Sequence, residues 1–148
     1  MGTIIYCENY ESTRKELKSK MIDVFGVDVI DGSDINEISD AVESMLSKSP
    51  HEIKLAITDE GIYDTERRYK YGCECKDFVA VLRANGYGGP IVYIGEKQLN
   101  LECRCMKDEV NEFIYKDDFL SADSKCTYDE AVMAIVEKYL PRTDVAEK

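Results

Sequence analysis

The chain has 148 residues, of which 44% are hydrophobic and 33% are charged, a composition that predicts one globular domain and argues against intrinsic disorder. No apolar run approaches the about 20 residues that span a bilayer, and Met1–Tyr6 lacks the basic region of a secretory signal, so we expect a cytoplasmic protein. The net charge of −11 disfavours direct binding to nucleic acid or to an anionic membrane, and it favours metal ions or basic protein surfaces as partners.

Five short runs of β-branched and aromatic residues predict strands. Each run is apolar at nearly every position, as is typical of strands buried on both faces of a parallel sheet that helices cover. In chain order they are Thr3–Cys7, Val27–Ile30, Ile53–Thr58, Ile91–Ile94 and Glu112–Tyr115.

Segments with helical periodicity lie between these runs. Ser12 or Thr13 is predicted to cap the first helix, which ends at Gly26, and Asp34 is predicted to cap the second, which ends before Pro50. A third helix is predicted to end at Asn85-Gly86, the segment Lys97–Asp108 is assigned a short fourth helix, and the last helix runs from Thr127 to Pro141.

The apolar spacing also predicts which residues of each helix face the core. They are Leu17, Met21, Val24 and Phe25; Ile35, Ile38, Val42 and Met45; Phe78, Val81 and Leu82; and Ala131, Ile135, Val136 and Tyr139.

Strands that alternate with helices predict an α/β fold with right-handed crossovers. Five of them suit the flavodoxin-like (βα)5 arrangement, a doubly wound parallel sheet with strand order 2-1-3-4-5. We expect a single domain over residues 1–148, with a core over 3–140 and a short C-terminal tail over 141–148.

Several polar residues directly follow the predicted strands, at the sheet edge where such folds bind ligands. They are Glu8, Asn9, Asp59 and Lys116, together with Gly95 after the fourth strand. Carboxylate oxygens suit Mg²⁺, a carboxylate can form an aspartyl phosphate, and a lysine can balance phosphoryl charge. The pattern therefore predicts a magnesium and phosphoryl site.

Three stretches together resemble the response-regulator receiver (CheY-like) family over nearly the whole chain. Phe78–Gly95 has a helix with a Leu82-Arg83 turn followed by Pro90 before a strand. In Glu112–Phe119, Phe113 stands three positions before Lys116, and Phe119 stands three positions after it. The third stretch, Leu55–Asp59, is a predicted strand that ends in aspartate.

The resemblance implies a role for each of the strand-end residues. Asp59 would be the phosphoacceptor, and Lys116 would contact the phosphoryl group. Glu8 and Asn9 would occupy the positions of the acidic pair, so Mg²⁺ would be held by these two residues and Asp59. Phe113 would be the aromatic switch residue.

The sequence departs from the family pattern in four places. Asn9 replaces the second acid, which should weaken Mg²⁺ binding because an amide brings no charge. Gly95 stands at the switch position where receivers carry Ser or Thr, and Asp117 stands where they carry proline. The segment Glu60–Gly72 is longer than the usual loop and could cover the site or supply a ligand.

Six cysteines in a chain without an export signal are expected to be reduced thiols. Two Cys-x-Cys pairs, Cys73/Cys75 and Cys103/Cys105, could form a four-cysteine zinc site, but one intervening residue is unusual, so zinc or a disulfide is the less favoured interpretation. Cys7 and Cys126 are interpreted as packing residues.

These observations leave three hypotheses. The first is a two-component signal transduction receiver that accepts phosphate on Asp59 from a histidine kinase or phosphotransfer protein. It would be a signalling domain rather than a turnover enzyme, and it would bind a downstream protein through its fourth helix, fifth strand and last helix. The second is a pseudo-receiver, an interaction module that works without phosphorylation. The third is a small enzyme or metal protein on a flavodoxin-like fold.

Overall fold

A computed structural model of the chain describes residues 2–8, 10–59, 74–95, 110–115 and 127–140. Its centre is a parallel sheet of five strands in the order β2-β1-β3-β4-β5, which confirms the predicted order. The strands are β1 (Thr3–Cys7), β2 (Asp28–Gly32), β3 (Ile53–Asp59), β4 (Ile91–Gly95) and β5 (Glu112–Tyr115).

Helices cover both faces of the sheet. In chain order they are α1 (Glu11–Phe25), α2 (Ile35–Lys48), α3 (Glu74–Ala84) and α4 (Tyr128–Tyr139), with a 3₁₀ turn at Pro50–Glu52. Residues of α2 and α3 pack on one face and residues of α1 and α4 on the other. The predicted helix over Lys97–Asp108 lies outside the described residues.

Alternate side chains of β1 reach the two cores. Ile5 and Cys7 join the core under α2 and α3, and Ile4 and Tyr6 join the core under α1 and α4. Every residue of β1 is buried, which confirms the two-sided burial and the packing role predicted for Cys7. The same expectation is wrong for β2, whose central residues are only half-buried because it forms an edge of the sheet.

Two of the predicted helix signals are confirmed. The side chain of Asp34 accepts a hydrogen bond from the Glu37 N–H at 3.0 Å and so caps α2. Gly26 ends α1 in the left-handed conformation at φ 63°, and its N–H donates to the Ile22 carbonyl.

The predicted cap of α1 by Ser12 or Thr13 is wrong. The helix begins at Glu11, after an extended Tyr10 that makes no side-chain cap, and the Arg14 N–H donates to the Tyr10 carbonyl at 2.9 Å. Both predicted caps therefore lie inside the first turn.

Core-facing positions were predicted to within one residue. On α2 the fully buried residue of the last turn is Leu46, whereas Met45 is partly buried. On α4 the buried residues are Val132 and Val136, and Ile135 and Tyr139 pack beside them with partial exposure. The core extends to Leu140, and the tail over 141–148 lies outside the described residues, so the domain limits stay a prediction.

The turn between α3 and β4 is held by side chains. The Arg83 guanidinium donates to the Tyr87 and Gly89 carbonyls at 2.6 and 3.2 Å, and the buried Tyr87 hydroxyl donates to the Pro90 carbonyl at 2.7 Å. Gly86 has φ +90°, which favours glycine at this point. Within the described ranges no helix is both long and apolar enough to cross a membrane.

Candidate functional site

The register of the sheet brings the predicted site positions together at the carboxyl ends of the strands. Cys7 of β1 is opposite Thr58 of β3, so Glu8 and Asp59 follow paired residues on neighbouring strands. Asp59 is in turn opposite Ile94 of β4, and Gly95 is opposite Tyr115 of β5. Glu8, Asp59 and Gly95 therefore lie at the carboxyl ends of three adjacent strands, where doubly wound sheets bind their ligands.

Glu8 is completely buried, and it is held by groups from several elements. Its carboxylate accepts hydrogen bonds from the Tyr128 hydroxyl at 3.1 Å and from the Tyr10 N–H at 3.4 Å. Its backbone N–H donates to the Gly32 carbonyl at 3.1 Å, and its carbonyl accepts from the Arg14 guanidinium at 2.8 Å. These contacts fix both the backbone and the carboxylate of Glu8.

Asp59 is the last residue of β3 and is 1% exposed. The neighbouring Thr58 is also buried, and its hydroxyl donates to the Asp59 carbonyl at 3.2 Å. Two acidic residues, Glu8 and Asp59, are thus buried at the ends of adjacent strands. Burying a carboxylate costs free energy unless charged or polar groups compensate it. Pairs of buried acids are therefore typical of functional sites.

Two tyrosines lie close to these acids. Burial raises the pKa of the Tyr6 phenol, and the negative charges of Glu8 and Asp59 raise it further. Burial likewise raises the pKa of the Tyr128 phenol, with Glu8 as the strongest neighbouring charge. Both hydroxyls therefore keep their protons at neutral pH, and the Tyr128 hydroxyl uses its proton as a hydrogen-bond donor to Glu8.

Arg14 is a buried basic residue beside the same edge. Besides its bond to Glu8, the guanidinium contacts Asp31 at 3.1 Å and the Ser33 hydroxyl at 3.2 Å. Lys18 contacts the other oxygen of Asp31 at 2.7 Å. Arg14 thus connects α1 to the segments that follow β1 and β2.

The remaining predicted residues are only partly within the described structure. Phe113 of β5 is half-buried and packs edge-on against Tyr93 of β4, with 5.7 Å between ring centroids. Gly95 ends β4. Asn9 and Lys116 lie outside the described residues. The same holds for the Glu60–Gly72 loop, for Asp117 and for the side chains of the two Cys-x-Cys pairs.

The donor set at this edge fits Mg²⁺. This ion commonly uses one or two carboxylates and keeps several waters, and Glu8 and Asp59 provide two carboxylates. No group of three His, Cys, Asp or Glu residues converges within the described ranges, so these residues do not form a complete protein cage there. The buried Tyr6 hydroxyl has no hydrogen-bond partner among the described residues, and the waters of a hydrated cation could provide one.

Sequence reasoning missed Tyr6, Arg14 and Tyr128. Arg14 carried a detectable signal, because it stands on the same helical stripe as the core residues Leu17 and Met21. Tyr6 lies within the apolar run of the first strand, so the pattern indicated a core residue only. Tyr128 meets Glu8 across 120 residues of sequence, and no local pattern encodes that contact.

No protein-family model matches the sequence, and no curated protein matches it. Solved structures do match the fold. The chemotaxis protein CheY4 of Vibrio cholerae is 15% identical with a TM-score of 0.62, and the alignment covers 95% of this chain and 99% of that one. A CheY-like response regulator receiver domain protein from Methanospirillum hungatei is 13% identical with a TM-score of 0.64, covering 94% of each chain.

A third similar structure contains a metal. The receiver domain of the sensor histidine kinase PA1611 from Pseudomonas aeruginosa, described with a magnesium ion coordinated in its active site cleft, is 13% identical with a TM-score of 0.60. The alignment covers 94% of this chain and 98% of that one. At such identities the likeness establishes the fold: the chain has the fold of response-regulator receiver, CheY-like domains, as its motifs indicated.

Proposed function

We propose that this chain is a receiver domain of two-component signal transduction that accepts a phosphoryl group on Asp59. The observation that carries the proposal is the buried pair of carboxylates, Glu8 and Asp59, at the ends of adjacent central strands. They occupy the sheet edge at which a doubly wound fold binds its ligand.

In the proposed reaction a carboxylate oxygen of Asp59 attacks the phosphorus of a phosphohistidine on a histidine kinase or phosphotransfer protein. An oxygen–phosphorus bond forms, the phosphorus–nitrogen bond breaks, and the imidazole nitrogen keeps the bonding electron pair. Glu8, Asn9 and Asp59 are the residues proposed to hold Mg²⁺, which when bound neutralises phosphoryl charge. Lys116 is proposed to supply a second positive charge to the phosphoryl oxygens.

Mass spectrometry after incubation with acetyl phosphate and Mg²⁺ tests this function. We expect an adduct of about 80 Da on the unaltered protein, because the aspartyl carboxylate gains one phosphoryl group. The Asp59→Asn variant should not form it, and neither should the unaltered protein in excess EDTA. An adduct that persists in Asp59→Asn would show that a different residue is the acceptor.

Two observations favour a second candidate, a pseudo-receiver that binds its partner without phosphorylation. Asp59 is only 1% exposed, so a phosphodonor reaches it only if the atoms that cover it move. Gly95 also has no hydroxyl to contact a phosphoryl oxygen. If no adduct forms at any Mg²⁺ concentration, this second function replaces the first.

Both candidates act by protein–protein interaction. We propose that a downstream protein binds the face made by residues 97–108, β5 and α4, and that the module works in the cytoplasm. The net charge of −11 supports a protein partner over direct contact with nucleic acid.

A further inference from the structure

Tyr128 is the first residue of α4, and its hydroxyl donates to the Glu8 carboxylate at 3.1 Å. The contact joins residues that are 120 positions apart in the sequence. Glu8 and Asp59 are the proposed cation ligands, so this bond links the candidate site directly to the last helix.

The bond connects the Glu8 carboxylate to an element that is distant from it in the sequence. The other described bond to this carboxylate comes from the backbone of Tyr10, two residues away, and is longer at 3.4 Å. A carboxylate offers about four lone-pair positions, so a hydroxyl that donates to one of its oxygens is compatible with a cation bound to the same group. Tyr128 can therefore hold Glu8 in place without blocking it.

Tyr128 is itself well fixed. The preceding residue, Thr127, makes a capping box with Glu130, in which each side chain bonds the other residue's backbone N–H. Asp129 pairs with Lys20 of α1 at 2.9 Å. The first turn of α4 is thus anchored to its own cap and to a neighbouring helix.

From this geometry we propose that Tyr128 is a positioning residue for divalent cation binding. Through its bond to Glu8, binding of a cation at the site would also stabilise the start of α4. The inference rests on the proposed cation site at Glu8 and Asp59. Hydrogen-bond partners of metal-ligating carboxylates typically contribute 10–100-fold to metal affinity. By linkage, a cation that favours the oriented Glu8 also strengthens the attachment of α4 to the site.

Mn²⁺ titration, followed by the electron paramagnetic resonance signal of the free ion, tests the proposal in the whole chain. Tyr128→Phe should weaken Mn²⁺ binding about 10-fold, because Glu8 loses the hydroxyl donor that comes from α4. Tyr139→Phe is the matched control, since that tyrosine also lies on α4 and donates to a carboxylate, Glu112, at 2.8 Å on an edge strand. Its Mn²⁺ affinity should match that of the unaltered protein.

A thermodynamic cycle separates positioning from general destabilisation. In the Glu8→Gln background, Tyr128→Phe should no longer change the remaining Mn²⁺ affinity, because the group that it orients is no longer a carboxylate. A merely structural role of Tyr128 would lower affinity equally in both backgrounds, and that result would overturn the proposal.

Hydrogen exchange of the unaltered protein gives a second measurement that needs no variant. Mg²⁺ should slow exchange at the first-turn amides of Glu130 and Ala131, which donate to Thr127. If the protein binds Mn²⁺ but Tyr128→Phe binds it equally well, the role of Tyr128 is overturned and the proposed site stands. If the unaltered protein binds no cation, both are overturned.

Discussion

A single buried side chain, that of Arg14, fixes the backbone next to the candidate site. Arg14 is a charged residue on the core-facing stripe of α1, and it is buried because three acceptors surround it, the Glu8 carbonyl, Asp31 and Ser33. A buried guanidinium is tolerated only when its donors are satisfied in this way. Arg14 therefore sets the position of the chain just after β1, where the proposed metal ligands stand.

Replacing Arg14 by methionine should lower the free energy of unfolding by about 3 kcal/mol, because Asp31 and the Glu8 carbonyl each lose a charged partner. Urea unfolding measures the change. The control is Lys15→Met on the same helix, which removes a lysine that is 70% exposed in its pair with Glu11. That variant should keep the urea midpoint of the unaltered protein, since exposed pairs contribute little. Equal midpoints for the two variants would contradict the role of Arg14.

At the scale of whole elements, sequence patterns predicted most of what the structure contains. The period of the apolar runs located all five strands, and Asp34 and Gly26 marked helix ends through chemistry local to the backbone. The start of α1 was missed because Ser12 and Thr13 are good caps by residue type only. The helix begins at Glu11, two or three residues earlier than those caps predict, and Arg14 donates to the Glu8 carbonyl.

The edge strand β5 is attached to α4 through Glu112, which contacts Lys138 and accepts a hydrogen bond from Tyr139 at 2.8 Å. The hydrogen bond from Lys138, followed by the one from Tyr139, holds the pKa of Glu112 below its ordinary value of 4.5. Because the folded-state pKa is the lower one, Glu112 stabilises the fold at pH values above 4.5 and loses this contribution as pH falls through the folded pKa.

Urea unfolding of the unaltered protein and of Glu112→Gln, repeated between pH 3 and pH 7, measures this contribution. We expect the unaltered protein to be the more stable near pH 7, by less than about 1 kcal/mol because the pair is partly solvated. The difference should shrink below pH 4.5 as Glu112 is protonated. In the Lys138→Met background the difference should be smaller above pH 4.5, whereas an unchanged difference would mean that Lys138 is not the main cause.

At the scale of the whole molecule, the candidate site could be predicted only in part. The positions of Glu8, directly after β1, and of Asp59, at the end of β3, could be predicted from strand order, because parallel strands bring their carboxyl ends together. Tyr128 could not be predicted, because its contact with Glu8 depends on how α4 packs across the sheet. Long-range side-chain contacts are the part of a site that periodicity and capping rules do not contain.

The two routes proposed to lead from the site to the rest of the molecule lie on opposite faces of the sheet. Phe113 packs with Tyr93 on the face of α2 and α3, whereas Tyr128 packs on the face of α1 and α4. Gly95 has no side chain with which to draw β4 towards a phosphoryl group. A ligand shifts an equilibrium only through its differential contacts with the two states, so the Phe113 route should respond weakly.

NMR of the aromatic ring of Phe113, with and without beryllofluoride and Mg²⁺, tests whether the Phe113 route responds weakly. In the unaltered protein we expect small shift changes at Phe113 on addition of the phosphoryl mimic. Gly95→Thr should enlarge them, because its hydroxyl can bind the mimic, and a β-branched residue suits the extended backbone of β4. Gly95→Val, which has similar volume but no hydroxyl, is the matched control and should behave like the unaltered protein. A large change at Phe113 in the unaltered protein would mean that another group already performs the function of the missing hydroxyl.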